Sequence, residues 1–108
     1  MGDIYIRRDI QDSWIFSDHI VYAWWTDLVL MSNHEPTKIL VNGSFVDVPT
    51  GIVAVNLKNL ADRWKVKKGK VSWFLSLLQE DNIAKVDKVS NISFINMRSR
   101  YVRICEDV

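Results

Sequence analysis

The chain has one cysteine, two prolines, four glycines and two histidines among 108 residues, and each shortage excludes something. A lone cysteine, Cys105, cannot close an internal disulfide, so a hydrophobic core must hold the fold and a reducing cytoplasm is the natural compartment. No apolar run approaches the roughly 20 residues of a membrane span, and the N-terminus opens on charged residues where a signal peptide would be apolar. His19 and His34 lie far apart, without cysteine or carboxylate neighbours at metal-ligand spacing, so no zinc site is expected. Cys105 has no assignable histidine partner, carboxylates are scattered, and neither a glycine-rich phosphate loop nor a G-x-S-x-G elbow is present. The expectation is a single non-enzymatic domain with no cofactor and no membrane association.

Hydrophobic residues make up 48% of the chain, and five tryptophans supply enough bulk for one core. Net charge is only +1, but it is unevenly placed. Residues 1–50 carry three basic and seven acidic side chains, whereas residues 51–108 carry eleven basic and six acidic. Between positions 58 and 73, Lys58, Arg63, Lys65, Lys67, Lys68 and Lys70 face a single acid, Asp62. A local excess of that kind attracts phosphate even when the total is near zero; it also suits a solvated turn between helices.

Periodicity orders the elements. Residues 1–17 read as an extended arm, with Trp14 and Phe16 as aromatic anchors on the core. Asp18 is a natural N-cap for a helix reaching about Ser32, with Ile20, Trp24, Leu28 and Met31 beside Val21, Trp25 and Val29 at helical spacing. Pro36 forbids its continuation. Asn42-Gly43 between two β-prone runs is a strong hairpin signal, because both residues tolerate the positive φ of a type I′ turn. A short strand at 52–55 precedes Asn56, which caps a helix carrying Leu57, Leu60, Ala61 and Trp64 on one face. Lys65-Val66-Lys67 forms a turn, with Val66 plugging the interhelical angle. A helix follows to about Asp81, with Val71, Phe74, Leu75 and Leu78 inward and Asn82 as a left-handed cap. Two β-runs joined at Ser90-Asn91 complete the pattern.

Helix, strand, helix, tight turn, helix and hairpin in that order predict an α+β winged helix-turn-helix. It has three core helices, a C-terminal β-hairpin wing, and an extra β-hairpin between the first and second helices. The expected boundaries are 1–17 for the arm, 18–96 for the domain and 97–108 for a C-terminal tail.

Over residues 38–96 the sequence resembles the N-terminal domain of phage replisome organisers and DnaD-type replication initiation proteins. The likeness rests on Val41-Asn42-Gly43, Gly51 before an apolar strand, Leu60-Ala61 with Arg63-Trp64, Lys70-Val71, Phe74-Leu75, Leu77-Leu78 and Glu80-Asp81. Ile6-Arg7-Arg8 and Ser13-Trp14 match that family's opening. The resemblance implies a DNA-binding module that recognises an origin or assembles a primosome. Many family members carry a further C-terminal region, so this chain is expected to be either a shortened form or a small stand-alone relative.

Where the family places Ser at the cap of the second motif helix and basic residues along its outer face, this chain has Lys67, Gly69 and Ser72-Trp73. That face offers little for bidentate reading of base edges. DNA contact is therefore expected mostly at phosphates, from Lys58, Arg63, Lys65, Lys67, Lys68 and Lys70, with Lys85 and Lys88 on the wing. Ser72, Trp73 and Ser76 are the candidates for base contacts. Trp73 and Leu77 either pack under the arm or another part of the same chain, the favoured placement, or form a patch for a homodimer or a replication-protein partner. The competing functions are a protein-interaction winged helix without DNA readout and a small transcription regulator.

Overall fold

The computed structural model describes residues 3–104; Cys105 lies outside them. Strand β1 (Ile4–Ile6) opens the chain, followed by one 3-10 helix, Arg8–Asp12. In this opening segment Ile10 and Ile15 are the buried residues. Of the expected aromatic anchors, Trp14 is partly buried against the core, whereas Phe16 remains exposed and only edges against Tyr22.

Helix α1 (His19–Met31) starts where its cap predicts, because the Asp18 Oδ1 accepts the amide hydrogens of Ile20 and Val21 at 2.9 and 3.3 Å. Val21, Trp24, Trp25, Leu28 and Val29 are buried. Ile20, expected in the inward stripe, is 62% exposed.

Strands β2 (Thr37–Val41) and β3 (Ser44–Val48) form a hairpin on the Asn42-Gly43 turn, with φ of 50° and 79°. Period-two alternation gives the hairpin two unlike faces. Ile39, Val41, Val46 and Val48 point inward, while Leu40 and Phe45 are cross-strand partners on the exposed side.

Strand β4 (Ile52–Val55), helices α2 (Leu57–Trp64) and α3 (Lys68–Glu80), and strands β5 (Lys85–Val89) and β6 (Ile92–Asn96) follow in the expected order. The three strands form an antiparallel sheet in the order β4-β6-β5. Its register puts Val53, Val86 and Ile95 on the face packed against the helices. Ile52, Ala54, Ile92 and Phe94 lie on the other face and meet the inner side of the β2–β3 hairpin. The inserted hairpin therefore covers a sheet face that would otherwise be an apolar surface.

The segment expected to be a tail, from 97 onward, is part of the fold as far as it is described. Met97, Tyr101, Val102 and Ile104 are buried, and β7 (Val102–Ile104) pairs antiparallel with β1. Three short alternating positions, Val102 and Ile104 inward with Arg103 outward, are too few to stand out as a strand in the sequence. The described residues thus form an α+β domain of three α-helices and small antiparallel sheets. None of the described helices is long and apolar enough to cross a membrane.

Candidate nucleic-acid interface

The angle between α2 and α3 comes from a few side chains. Leu60 and Ala61 are buried on α2, and the small Ala61 lets α3 cross closely. Lys65 adopts the left-handed conformation (φ 58°, ψ 44°) that ends α2, and partly buried Val66 packs on the core below. Asp27 of α1 then locks α2 in place. Its carboxylate accepts hydrogen bonds from Arg63 Nε (2.7 Å), Arg63 Nη2 (2.9 Å) and Trp64 Nε1 (2.7 Å). The Arg63 hydrogen bond holds the Asp27 carboxyl below its ordinary range, against the opposing effect of burial. Arg63, expected to contact phosphate, is thus engaged within the protein; its place in the sequence matched a basic cluster, but a bidentate acid partner lies across the interhelical contact.

Helix α3 buries Val71, Phe74, Leu75 and Leu78, which leaves three stripes by helical geometry. Lys68, Ser72 and Gln79 form the flank towards the β5–β6 hairpin; Gly69, Ser76 and Glu80 point outward; Lys70, Trp73 and Leu77 form the flank towards α1 and the N-terminal segment. Gln79 shares a recess with Asn82, Lys85, Asn96 and Arg98, so the base of the β5–β6 hairpin and the end of α3 meet there. Sequence reasoning missed Gln79 and Arg98. Gln79 was legible as the residue one and two turns beyond Ser76 and Ser72, whereas Arg98 fell in the presumed tail.

At the other end of α3, Lys67 occupies the N-cap position and makes no side-chain cap hydrogen bond. Lys65, Lys67, Lys68 and Lys70 are all exposed around that first turn, and open space surrounds the position a Gly69 Cβ would occupy. Unlike these four, Lys58 begins the other end of α2, about 10 Å from Lys65 along the helix axis. On β5, Lys85 and Lys88 are exposed with Asp87 between them, which reduces the local positive field.

Of the three candidate base contacts, Ser72 is exposed on the flank towards β5 and Ser76 donates its hydroxyl to the Trp73 carbonyl at 2.7 Å. Trp73 is 45% exposed, with the Lys70 Nζ 4.1 Å from its ring centroid. The expected burial of Trp73 under the arm does not occur, because Trp14 of that segment reaches Leu77 and Asp81, one turn and two turns farther along α3. Among the described residues there is no group of three or more His, Cys, Asp or Glu able to hold a metal ion. Comparisons with protein-family models, with curated proteins and with solved structures return no match to this chain.

Proposed function

We propose that β4, α2, α3, β5 and β6 form a winged helix-turn-helix that binds duplex DNA chiefly through its phosphates. The observation that carries this reading is the start of α3. The Lys67 side chain at the cap accepts nothing from the first-turn amides, only the Lys70 amide there has a backbone acceptor, the Lys67 carbonyl, and Lys65, Lys67, Lys68 and Lys70 are exposed about the same turn. A phosphate supplies the missing acceptor, and both the helix dipole and the lysines favour its charge. Lys85 and the neutral side chains of Ser72 and Gln79 extend the same flank towards the wing, where no carboxylate of α3 intervenes. With the resemblance over residues 38–96, this supports a DNA-binding module of a phage- or mobile-element-type replication initiation protein.

Fluorescence anisotropy with a labelled duplex tests it. Binding is expected at low salt, with log affinity falling against log salt at a slope near −0.9 per phosphate contact, or about −3.6 for the four lysines. Absence of binding to any duplex at low salt overturns the reading. A second reading, a protein-interaction winged helix without DNA readout, is favoured by the exposure of Trp73 beside an apolar cleft.

A further inference from the structure

Three of the five tryptophans converge on one opening. Trp24, Trp64 and Trp73, with Ile20, Val21 and Val66, line a cleft of about 520 Å³ between α1, the end of α2 and the first turns of α3. Its floor is rigid: Trp24 stacks on Trp64 at 5.3 Å and 11°, and Phe74 braces both rings edge-on. Its rim is apolar and open, formed by Ile20 and Trp73, the two large exposed hydrophobic residues of that surface.

The charges at the mouth are not balanced. Lys65 and Lys70 line it, and the one acid there, Asp18, is directed at the amides of Ile20 and Val21 as the cap of α1. Lys67, exposed between Lys65 and Lys70 in sequence, adds a further positive charge at the turn. The floor offers no free hydrogen-bond donor from Trp64, whose indole N–H is given to Asp27. An aliphatic or aromatic side chain seats on such a floor without leaving a polar group of its own unpaired.

We propose that this cleft docks an acidic amphipathic segment of a partner protein. One or two bulky apolar side chains seat against Trp24 and Trp64, and flanking carboxylates pair with Lys65 and Lys70. The volume falls within the range of about 300–1,000 Å³ typical of binding clefts. An amphipathic helix presenting anchors one turn apart is the natural occupant of such a groove. The inference rests on the second reading given above, contact with a partner protein, and does not require DNA binding. It has one consequence for DNA: Lys65 and Lys70 serve both ligands, so segment and duplex compete.

The test is an NMR titration of the full chain, following the five indole N–H signals. The probe is a synthetic helical peptide of about four turns, glutamate-rich, with leucine and phenylalanine one turn apart. The signals of Trp64 and Trp73 are expected to shift, while that of Trp14, held on Asp81, stays in place. Replacing the glutamates by lysine, or the two anchors by alanine, weakens binding at least about ten-fold. Ile20→Glu and Trp73→Ala, both at exposed positions, do the same while leaving the Trp14 and Trp25 signals unmoved. Equal binding of the lysine peptide, binding indifferent to both substitutions, or no shift at about 1 mM peptide overturns the proposal. Duplex binding measured on the same sample separates the outcomes: a chain that binds DNA but not peptide keeps the DNA reading and loses this one.

Discussion

At the scale of single residues, two glycines make opposite predictions. Gly51 has φ of +88°, and a Cβ built there would meet the Arg98 Cγ and Nε at 2.9 Å. Gly51→Ala is expected to cost about 1–2 kcal/mol through the left-handed backbone alone. Gly69 sits in the first turn of α3 with nothing near its would-be Cβ, so Gly69→Ala is expected to stabilise by about 0.5–1 kcal/mol. Urea titration of the two variants checks both signs. Asp27 makes a third residue-scale prediction. Because the Arg63 hydrogen bond, aided by the Trp64 N–H, depresses its folded-state pKa, its stabilisation is complete above the ordinary value of 3.8 and is lost as pH falls from there through the lower folded value. Acid unfolding of Asp27→Asn should lack that component, and at neutral pH the variant should be less stable than the parent. An unchanged acid limb would show that the Asp27 contacts do not persist in solution.

At the scale of elements, legibility followed pattern length. Helices α1, α2 and α3 were readable because each combines a cap or turn residue with several apolar positions at helical spacing. The β2–β3 hairpin was readable because Asn42-Gly43 names its own turn type. What the hairpin does was not readable, since packing of Val41 and Val48 on Phe94 joins residues about fifty positions apart and leaves no local trace. The same limit explains the site residues. Lys65, Lys67, Lys68 and Lys70 are neighbours in sequence and remain neighbours in the fold. Arg63 looked identical to them until Asp27, 36 residues earlier, was seen to hold it. These placements predict a graded DNA response among the basic residues. Lys68→Ala, at the start of α3, should reduce the salt slope by about 0.9, whereas Lys58→Ala, at the far end of α2, should leave it unchanged. Equal effects of the two substitutions in anisotropy titrations would mean that the contact surface runs along α2 and not across the start of α3.

At the scale of the whole molecule, the fold closes at one carboxylate. Asp81 ends α3, where a negative charge opposes the helix dipole. It is retained there by donors from the segments near both ends of the described chain: Trp14 Nε1 at 2.9 Å and Arg100 Nη2 at 3.2 Å. The Arg100 Nη1 also reaches the Asp81 carbonyl at 3.3 Å, and the amide of Arg7 donates to the Tyr101 carbonyl at 2.8 Å beside the β1–β7 pair. The N-terminal segment, the end of α3 and the C-terminal strand are therefore one mechanical unit, even though β1–β7 is separate from the three-stranded sheet. Trp14→Phe keeps an aromatic ring but removes the N–H and part of the indole's packing surface, so it should cost at least about 0.5–1.5 kcal/mol. Combined with Arg100→Gln, its cost should depart from additivity, because both donors act on the same carboxylate. Hydrogen exchange should locate the loss: amides of β1 and β7 speed up more than those of β4 and β6. If the two substitutions add independently and exchange rises evenly across all strands, Asp81 is a surface acid and closure of the molecule rests on the apolar packing of Tyr101, Val102 and Ile104 alone.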